Sequence, residues 1–397
     1  VFEAFKIPSG SMEPTLIGDE DTGDRVFVNK LVYSIRDPHR WEVVVFKKPN
    51  ENRNLIKRCA GLPGEELELS GGEVYSDGEI LRKPFELLDQ FWRPYFRQTD
   101  FSDKLLSRNW RVIGDTRSEG NRLRAVGPCE LHYIPWERTV EKGLVTKSVI
   151  TDVYPRLLVL NRAATPEGHI FKPSVKDLFI IHDKNSGVTR RGLYAPDTGE
   201  KIYESDDNWP EANVNGYEEF WSGGVYSVGD LKAGLTFTPR SSSGTLSINL
   251  VEGTGADKAV RTLRIPLGNE DEKARLSAGG GKELMLTSLG RFMPDRSYTV
   301  EFMNIDDRLI VMLNDRRVGQ LLYKGPMEHV EGNEIFVSLS SGAEVTISEF
   351  SVARDIFYVP RGEVFDVGED SYFMLGDNSP KSADSRYFGG VSRDRIV

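Results

Sequence analysis

Two short boxes at opposite ends of this chain set the strongest constraint on its fold. Ser9-Gly10-Ser11-Met12-Glu13-Pro14 lies near the start and Gly376-Asp377-Asn378-Ser379 near the end. Ile56-Lys57-Arg58-Cys59-Ala60-Gly61-Leu62-Pro63-Gly64 lies between them, close to the first. A serine, a lysine and an acid–serine cluster do chemistry together only where they touch. The chain must therefore leave its first unit, run through a long middle, and come back to where it left. Insertions of this kind succeed where the two junctions lie close together at a surface turn.

Strand signals dominate the flanks. Arg25 to Lys30, Glu42 to Lys47 and Asn54 to Ala60 are β-branched and aromatic runs bounded by turn residues. A hairpin follows: Gly71-Gly72 leads into Glu73-Val74-Tyr75, and Asp77-Gly78 turns the chain again. From about Lys83 to Lys147 aromatics lie among charges with no clean period, which reads as an irregular segment with one short helix. Alternation at period two returns beyond Val149, in Thr245 to Val251, Leu263 to Leu267, Tyr298 to Phe302 and Ile335 to Leu339. Strands with one apolar face, separated by Gly, Asp and Asn turns, describe a two-sheet sandwich. After Arg354 the style shifts back, and Ile356 to Pro360 and Tyr372 to Leu375 lead into the Gly376 box. The expected division is residues 1–84 with 355–397 as one discontinuous domain, 85–147 as a connecting segment, and 148–354 as the inserted sandwich.

Composition excludes several classes. At 397 residues the chain suffices for two or three domains. Its net charge of −10 argues against nucleic acid as a partner, since phosphate binding needs basic excess. Two cysteines, Cys59 and Cys129, exclude a disulfide scaffold, and Cys59 sits in an apolar strand pattern. No apolar run is long enough to span a bilayer. The abrupt start at Val1-Phe2-Glu3 and the stop within a strand-like phrase suggest a soluble piece of a longer protein, with an upstream anchor removed.

A serine hydrolase normally needs a histidine base, but His39, His132, His169, His182 and His329 all lie outside any catalytic motif and read as surface or packing residues. A lysine serves instead if its neutral amine is populated near pH 7. Its pKa must then fall from about 10.4 by roughly three units, a cost of about 4 kcal/mol supplied by desolvation. Leu55, Ile56, Cys59, Ala60 and Leu62 suit such burial of Lys57, and on a strand Arg58 faces the other way. Gly10 permits a tight backbone approach, and Pro8 and Pro14 stiffen the flanks of Ser11. Such a turn exposes one hydroxyl and aims its amide at a developing oxyanion, with Ser9 as a second donor. The three boxes together point to a serine–lysine peptidase.

Ser9 to Leu16, the Lys57 box with its Gly61-Leu62-Pro63-Gly64 turn, and Gly376-Asp377-Asn378 followed by Ser382-Ala383-Asp384-Ser385-Arg386 resemble type I signal peptidases, in order and nearly residue for residue. The likeness covers roughly residues 5–84 and 355–397. It implies a mainly β fold, with an antiparallel catalytic domain interrupted by an inserted jelly-roll-like sandwich. It implies Ser11 as nucleophile, Lys57 as general base, and the Ser9 hydroxyl with the Ser11 amide as oxyanion hole. Ser382 is expected to hydrogen-bond the Lys57 amine. Asp384 is expected to pair with Arg386 and Arg58, and the turn Gly376, Asp377, Asn378 to buttress the site. The implied substrates are exported preproteins with small residues at the first and third positions before the scissile bond, cut through an acyl-enzyme at the outer face of the cytoplasmic membrane. Membrane lipid is an implied partner through an N-terminal anchor that this chain does not carry. Phe2, Phe5 and Ile7 fit contact with lipid beside such an anchor and fit core packing equally well.

The middle segment resembles concanavalin-like or laminin-G-like jelly rolls, chiefly over Val300 to Val318. Its ligand is not readable from sequence. Trp209, Tyr217 and Trp221 fit a sugar-stacking surface but also a core. Asp306-Asp307 and Asn314-Asp315 fit calcium ligation but read more simply as turns, so no metal or other cofactor is assigned. Two alternatives to preprotein cleavage are a glycan- or protein-binding sandwich on a vestigial peptidase and a LexA-type self-cleaving peptidase. The second needs a DNA-binding segment and an Ala-Gly cleavage site before the serine, and neither is visible.

Overall fold

A computed structural model describes residues 2–18, 23–49, 51–103, 106, 109–139, 143–146, 150, 152, 178–183, 188–194, 201–204, 226–268 and 272–397. The chain is mainly β, as the strand signals require.

The ends of the chain build three small antiparallel sheets. Phe2–Lys6 pairs with Arg25–Asn29. Val43–Lys47, Asn54–Gly61, Ser371–Leu375 and Val391–Ser392 form a four-stranded sheet in that spatial order. Val364–Asp366, Glu66–Ser70, Glu73–Ser76 and Glu79–Ile80 form the third. The expected strands at 25–30, 42–47 and 54–60 are present within a residue or two at each end. In the hairpin after Glu73, Asp77 and Gly78 have φ of 51° and 76°, the paired positive values of a tight hairpin turn.

The second of these sheets is covered on both faces, which explains its unbroken apolar runs. Alternation along Ser371–Leu375 sends Phe373 and Leu375 into a core with Trp41, Ala60 and Phe91. Tyr372 and Met374 go into another core with Val44, Phe46 and Cys59. The neighbouring strand obeys the same rule, so Lys57 shares a face with Cys59 and Arg58 shares one with Ala60.

The middle of the chain forms the expected sandwich around one large core. Its hydrogen-bonded strands run Lys282–Leu286, Ala274–Gly279, Ala259–Pro266, Thr245–Glu252, Asn333–Leu339, Arg122–Tyr133, Glu344–Arg354, Leu231–Pro239, Tyr298–Ile305, Arg308–Leu313 and Arg316–Leu322. Asp306, Asp307, Asn314 and Asp315 all have positive φ, so both acidic pairs are the hairpin turns expected of them. Trp209, Tyr217, Trp221 and His169 lie outside the described residues, and of His182 only the backbone is described.

The segment 85–147 is not an irregular connector. It holds the short helical turn Phe85–Gln90 and the strands Arg93–Gln98, Trp110–Glu119 and Arg122–Tyr133, which belong to the sandwich. The period was hidden for two physical reasons. Arg122–Tyr133 changes partner at a bulge, with residues 123–126 pairing with 344–347 and 129–132 with 336–339. Trp110–Glu119 pairs with that strand alone among the described residues and is mostly exposed, and the inward positions of its second half are Thr116 and Ser118, so its burial alternates where its hydrophobicity does not. Its aromatics do pack, with Trp110 4.6 Å from Phe350 between ring centroids.

Polar contacts join the sandwich to the sheets built by the ends of the chain. The buried Lys83 ammonium pairs with Asp306 of a sandwich turn, with Asp355 at 2.7 Å and with Glu73 at 3.1 Å. Arg308 donates to Lys83 O at 2.7 Å and to Asp306 at 2.9 Å. Cys59 and Cys129 are both free and buried.

Candidate active site

Ser11 rides on a single helical turn, Gly10–Met12, anchored by Met12 and Glu13, which are both buried. The loop closes on itself through Leu16 N to Met12 O at 3.0 Å and Gly18 N to Glu13 Oε1 at 3.3 Å. Gly18 lies flat against Ser9, and a Cβ there would come within 1.8 Å of the Ser9 carbonyl oxygen. Ser11 is half-buried and Ser9 exposed.

The Gly376 box grips this loop from behind. Asn378 donates its backbone N–H to Ser11 O at 3.1 Å and its side-chain amide to Gly10 O at 2.9 Å. Gly376 leaves no room for a side chain, since a Cβ there would lie 2.0 Å from Ser382 Oγ and 2.6 Å from Ser11 O. Its N–H is held by Asp384 Oδ2 at 2.9 Å.

Lys57 reaches this loop from the strand Asn54–Gly61. Its Nζ lies 2.6 Å from Ser11 Oγ and donates to Ile56 O at 2.9 Å. The side chain is 3% exposed. Burial, the largest effect, lowers its pKa to about 8; Asp384 and Asp377 oppose that, and Arg53 adds slightly to it. The amine is therefore dry, close to the hydroxyl and partly neutral at ordinary pH, which is what proton abstraction from a serine needs.

Three sequence expectations are tested by these contacts. Asp384 does pair with Arg386, accepting at 2.9 Å from Nε and Nη2, and Arg386 continues to Ser379 and Val359 O. Arg58, however, pairs with Asp377 and not with Asp384: its Nε and Nη2 lie 2.8 and 2.6 Å from the two carboxylate oxygens. The reason is the strand alternation that turns Arg58 toward the Phe91 core, where its guanidinium lies 4.4 Å over the ring. Ser382 does not bond the Lys57 amine. Its buried Oγ has no hydrogen-bond partner among the described residues, because the lysine's contacts go to Ser11 and to its own strand.

Asp377 is the hub of the cluster. Burial alone would raise its pKa, but Arg58, Arg93 and the Thr15 hydroxyl hold it below the ordinary carboxylate value. Thr15 lay in the serine box without being singled out. Arg93 carried no signal, since it belongs to the segment read as irregular. His132 is occupied with Glu130 and Glu334.

Glu73, Asp230, Asp306 and Asp355 bring one carboxylate oxygen each to within 4.8 Å of one another. The Lys83 ammonium sits among three of them, pairing with Glu73, Asp306 and Asp355.

The family described as signal peptidase, peptidase S26, matches residues 1–130 and 310–397, more than half of the chain. The chain belongs to the signal peptidase family. Signal peptidase I V of Bacillus subtilis is 35% identical over 136 residues, covering 32% of this chain and 78% of that protein. Signal peptidase I of Leptolyngbya laminosa is 30% identical over 155 residues, covering 36% of this chain and 68% of that protein. A probable signal peptidase I-2 of Synechocystis is 46% identical over 87 residues, and there the chain spans 38% of the relative's length. The Emp47p carbohydrate recognition domain is similar in structure at a TM-score of 0.33 and 9% identity, covering 69% of this chain and 100% of that one. Among the described residues no helix is long and apolar enough to cross a membrane.

Proposed function

We propose that this chain is an endopeptidase that removes signal peptides from exported preproteins, with Ser11 as nucleophile and Lys57 as general base. The observation that carries this reading is the 2.6 Å approach of a buried lysine amine to a serine hydroxyl. Neutral Lys57 takes the proton from Ser11 Oγ as that oxygen attacks the scissile carbonyl. The oxyanion is met by the Ser11 amide and the Ser9 hydroxyl. Collapse expels the amine of the mature protein, which receives the proton from the Lys57 ammonium, and leaves an acyl-enzyme on Ser11. Lys57 then deprotonates a water that hydrolyses the ester and restores the free hydroxyl.

Supporting roles follow from contacts. Asn378 holds the carbonyls of Gly10 and Ser11, Asp377 with Arg58 holds the strand carrying the base, and Asp384 with Arg386 fixes the turn at Gly376. Substrate choice follows the family: small residues at the first and third positions before the cut. The setting we assign is the outer face of the cytoplasmic membrane, with the preprotein presented in extended form.

The test is cleavage of a preprotein carrying an Ala-X-Ala site. Ser11→Ala and Lys57→Ala each abolish cleavage while circular dichroism and the unfolding midpoint stay near wild type. Near-normal turnover by either variant overturns the mechanism.

A further inference from the structure

The site is not completed by the two ends of the chain alone. Arg93 opens the strand Arg93–Gln98, which is hydrogen-bonded to the sandwich strand Glu344–Arg354. Its guanidinium is turned out of the sandwich into the peptidase cluster. Nη2 donates to Thr15 Oγ1 at 2.8 Å and to Asp377 Oδ2 at 3.1 Å, and Nη1 donates to Gln90 O at 2.9 Å. Thr15 in turn donates to the same Asp377 oxygen. One buried arginine on a strand of the sandwich sheet thus ties the serine loop to the turn that grips it.

The local sheet gains nothing from this residue. Across the ladder Arg93 faces Arg354, a like-charged neighbour, which is an unfavourable cross-strand pair. Arg354 is satisfied by Asp355 O at 2.8 Å and Asp152 O, leaving Asp377 as the anion for Arg93. The Arg93 side chain is 6% exposed and that of Asp377 0%, so the contact is dry and little screened.

We infer that Arg93 is a positioning residue of the peptidase, supplied by the sandwich, which holds Thr15 and Asp377 and through them the Ser11 loop. The inference rests on the proposed serine–lysine reading. It gives the sandwich sheet, through its strand Arg93–Gln98, a part in positioning the peptidase site. The charged groups acting on the Lys57 amine are Asp384 and Asp377 from the tail and Arg53 from its own hairpin. Without Arg93 the Asp377 charge is less compensated, so the ammonium form of Lys57 is favoured and the acid limb of the rate profile moves to higher pH.

The experiment compares Arg93→Met, Arg93→Lys and Thr15→Val with wild type on the Ala-X-Ala preprotein. Arg93→Met lowers kcat about tenfold or more through misplacement of the loop, with KM within about twofold. Its acid limb moves upward, and Arg93→Lys returns the limb to the wild-type position. Thr15→Val lowers kcat without moving the limb. A folded Arg93→Met protein with wild-type kcat and limb overturns the inference, as does loss of kcat in both arginine variants with neither limb displaced. Should Arg93→Met not fold, wild-type kcat in both Arg93→Lys and Thr15→Val overturns it. If wild type itself does not cleave, the proposed function fails. NMR titration of the Lys57 side chain in Arg93→Met or Arg93→Lys then decides the inference separately. An upward midpoint for the methionine supports it. An unchanged one, or a displaced midpoint in Arg93→Lys where only that variant folds, overturns it.

Discussion

Arg58 and Asp377, 319 positions apart, meet in a two-pronged pair at 2.8 and 2.6 Å with neither side chain exposed. This contact ties the strand that carries Lys57 to the turn that grips Ser11. Removing Arg58 takes away the two-pronged partner and leaves the buried Asp377 carboxylate with Arg93 and Thr15 alone. Arg58→Met therefore lowers unfolding free energy by about 3–5 kcal/mol, measured by denaturant titration. Arg58→Lys recovers only part of it, because an ammonium cannot make the fork.

The Lys57 amine sets both a pH profile and a stability term. With a pKa of about 8, kcat/KM rises with pH through that value as the neutral amine becomes populated. The folded-state pKa lies below the unfolded one, so the protonated amine destabilises the native state fully below about pH 8. That term fades as pH approaches the unfolded value near 10.5. Lys57→Met is inactive yet more stable than wild type at pH 7 by about 1–3 kcal/mol, and the difference shrinks by pH 10. Equal stabilities at pH 7 would show the amine to be solvated.

Gly18 is remote from the chemistry in role but not in space. A methyl group at Gly18 meets the Ser9 carbonyl at 1.8 Å, a contact only backbone displacement relieves. Gly18→Ala is expected to lower kcat about a hundredfold by shifting Ser9 and the turn behind it. Gly78→Ala, whose Cβ meets nothing within 4 Å, strains only its own hairpin turn at φ 76° and leaves kcat unchanged.

At the joint between the sheets and the sandwich, burial raises the Glu73 carboxyl to about 8, with Lys83 opposing and Asp306 and Asp355 adding to it. Asp230 and Asp355 are displaced in the same direction by the same cause. A carboxyl whose folded pKa exceeds its unfolded one stabilises the native state below about 4.5 and loses that contribution as pH rises through about 8. Unfolding free energy measured from pH 4.5 to 8 therefore falls, and Glu73→Gln flattens the slope. An unchanged slope in that variant removes Glu73 from the account.

Much of the fold was legible because its signals are local. The strands at 25–29, 43–47 and 54–61, the Asp77-Gly78 turn and the turns at Asp306 and Asn314 need only the residues that form them. The strands within 93–133 were not legible. Burial there is decided by distant partners such as Phe350, and a bulge resets the period in the middle of Arg122–Tyr133. Within the site, the approach of Lys57 to Ser11 followed from motif order, whereas the partner of Arg58 did not.

The sequence by itself determined the order of the three motifs and the strand periodicity, and with them the side chains proposed for the chemistry and the expectation that the two ends meet around an inserted β domain. Motif residues and strand periodicity are properties of short stretches, so both survive without coordinates. Only the tertiary structure decided that Arg58 belongs to Asp377, that Ser382 Oγ has no partner among the described residues, and that the sandwich lends Arg93 to the cluster. Those outcomes depend on which buried charges lie within hydrogen-bond reach once the core has packed, a three-dimensional competition that no local pattern encodes.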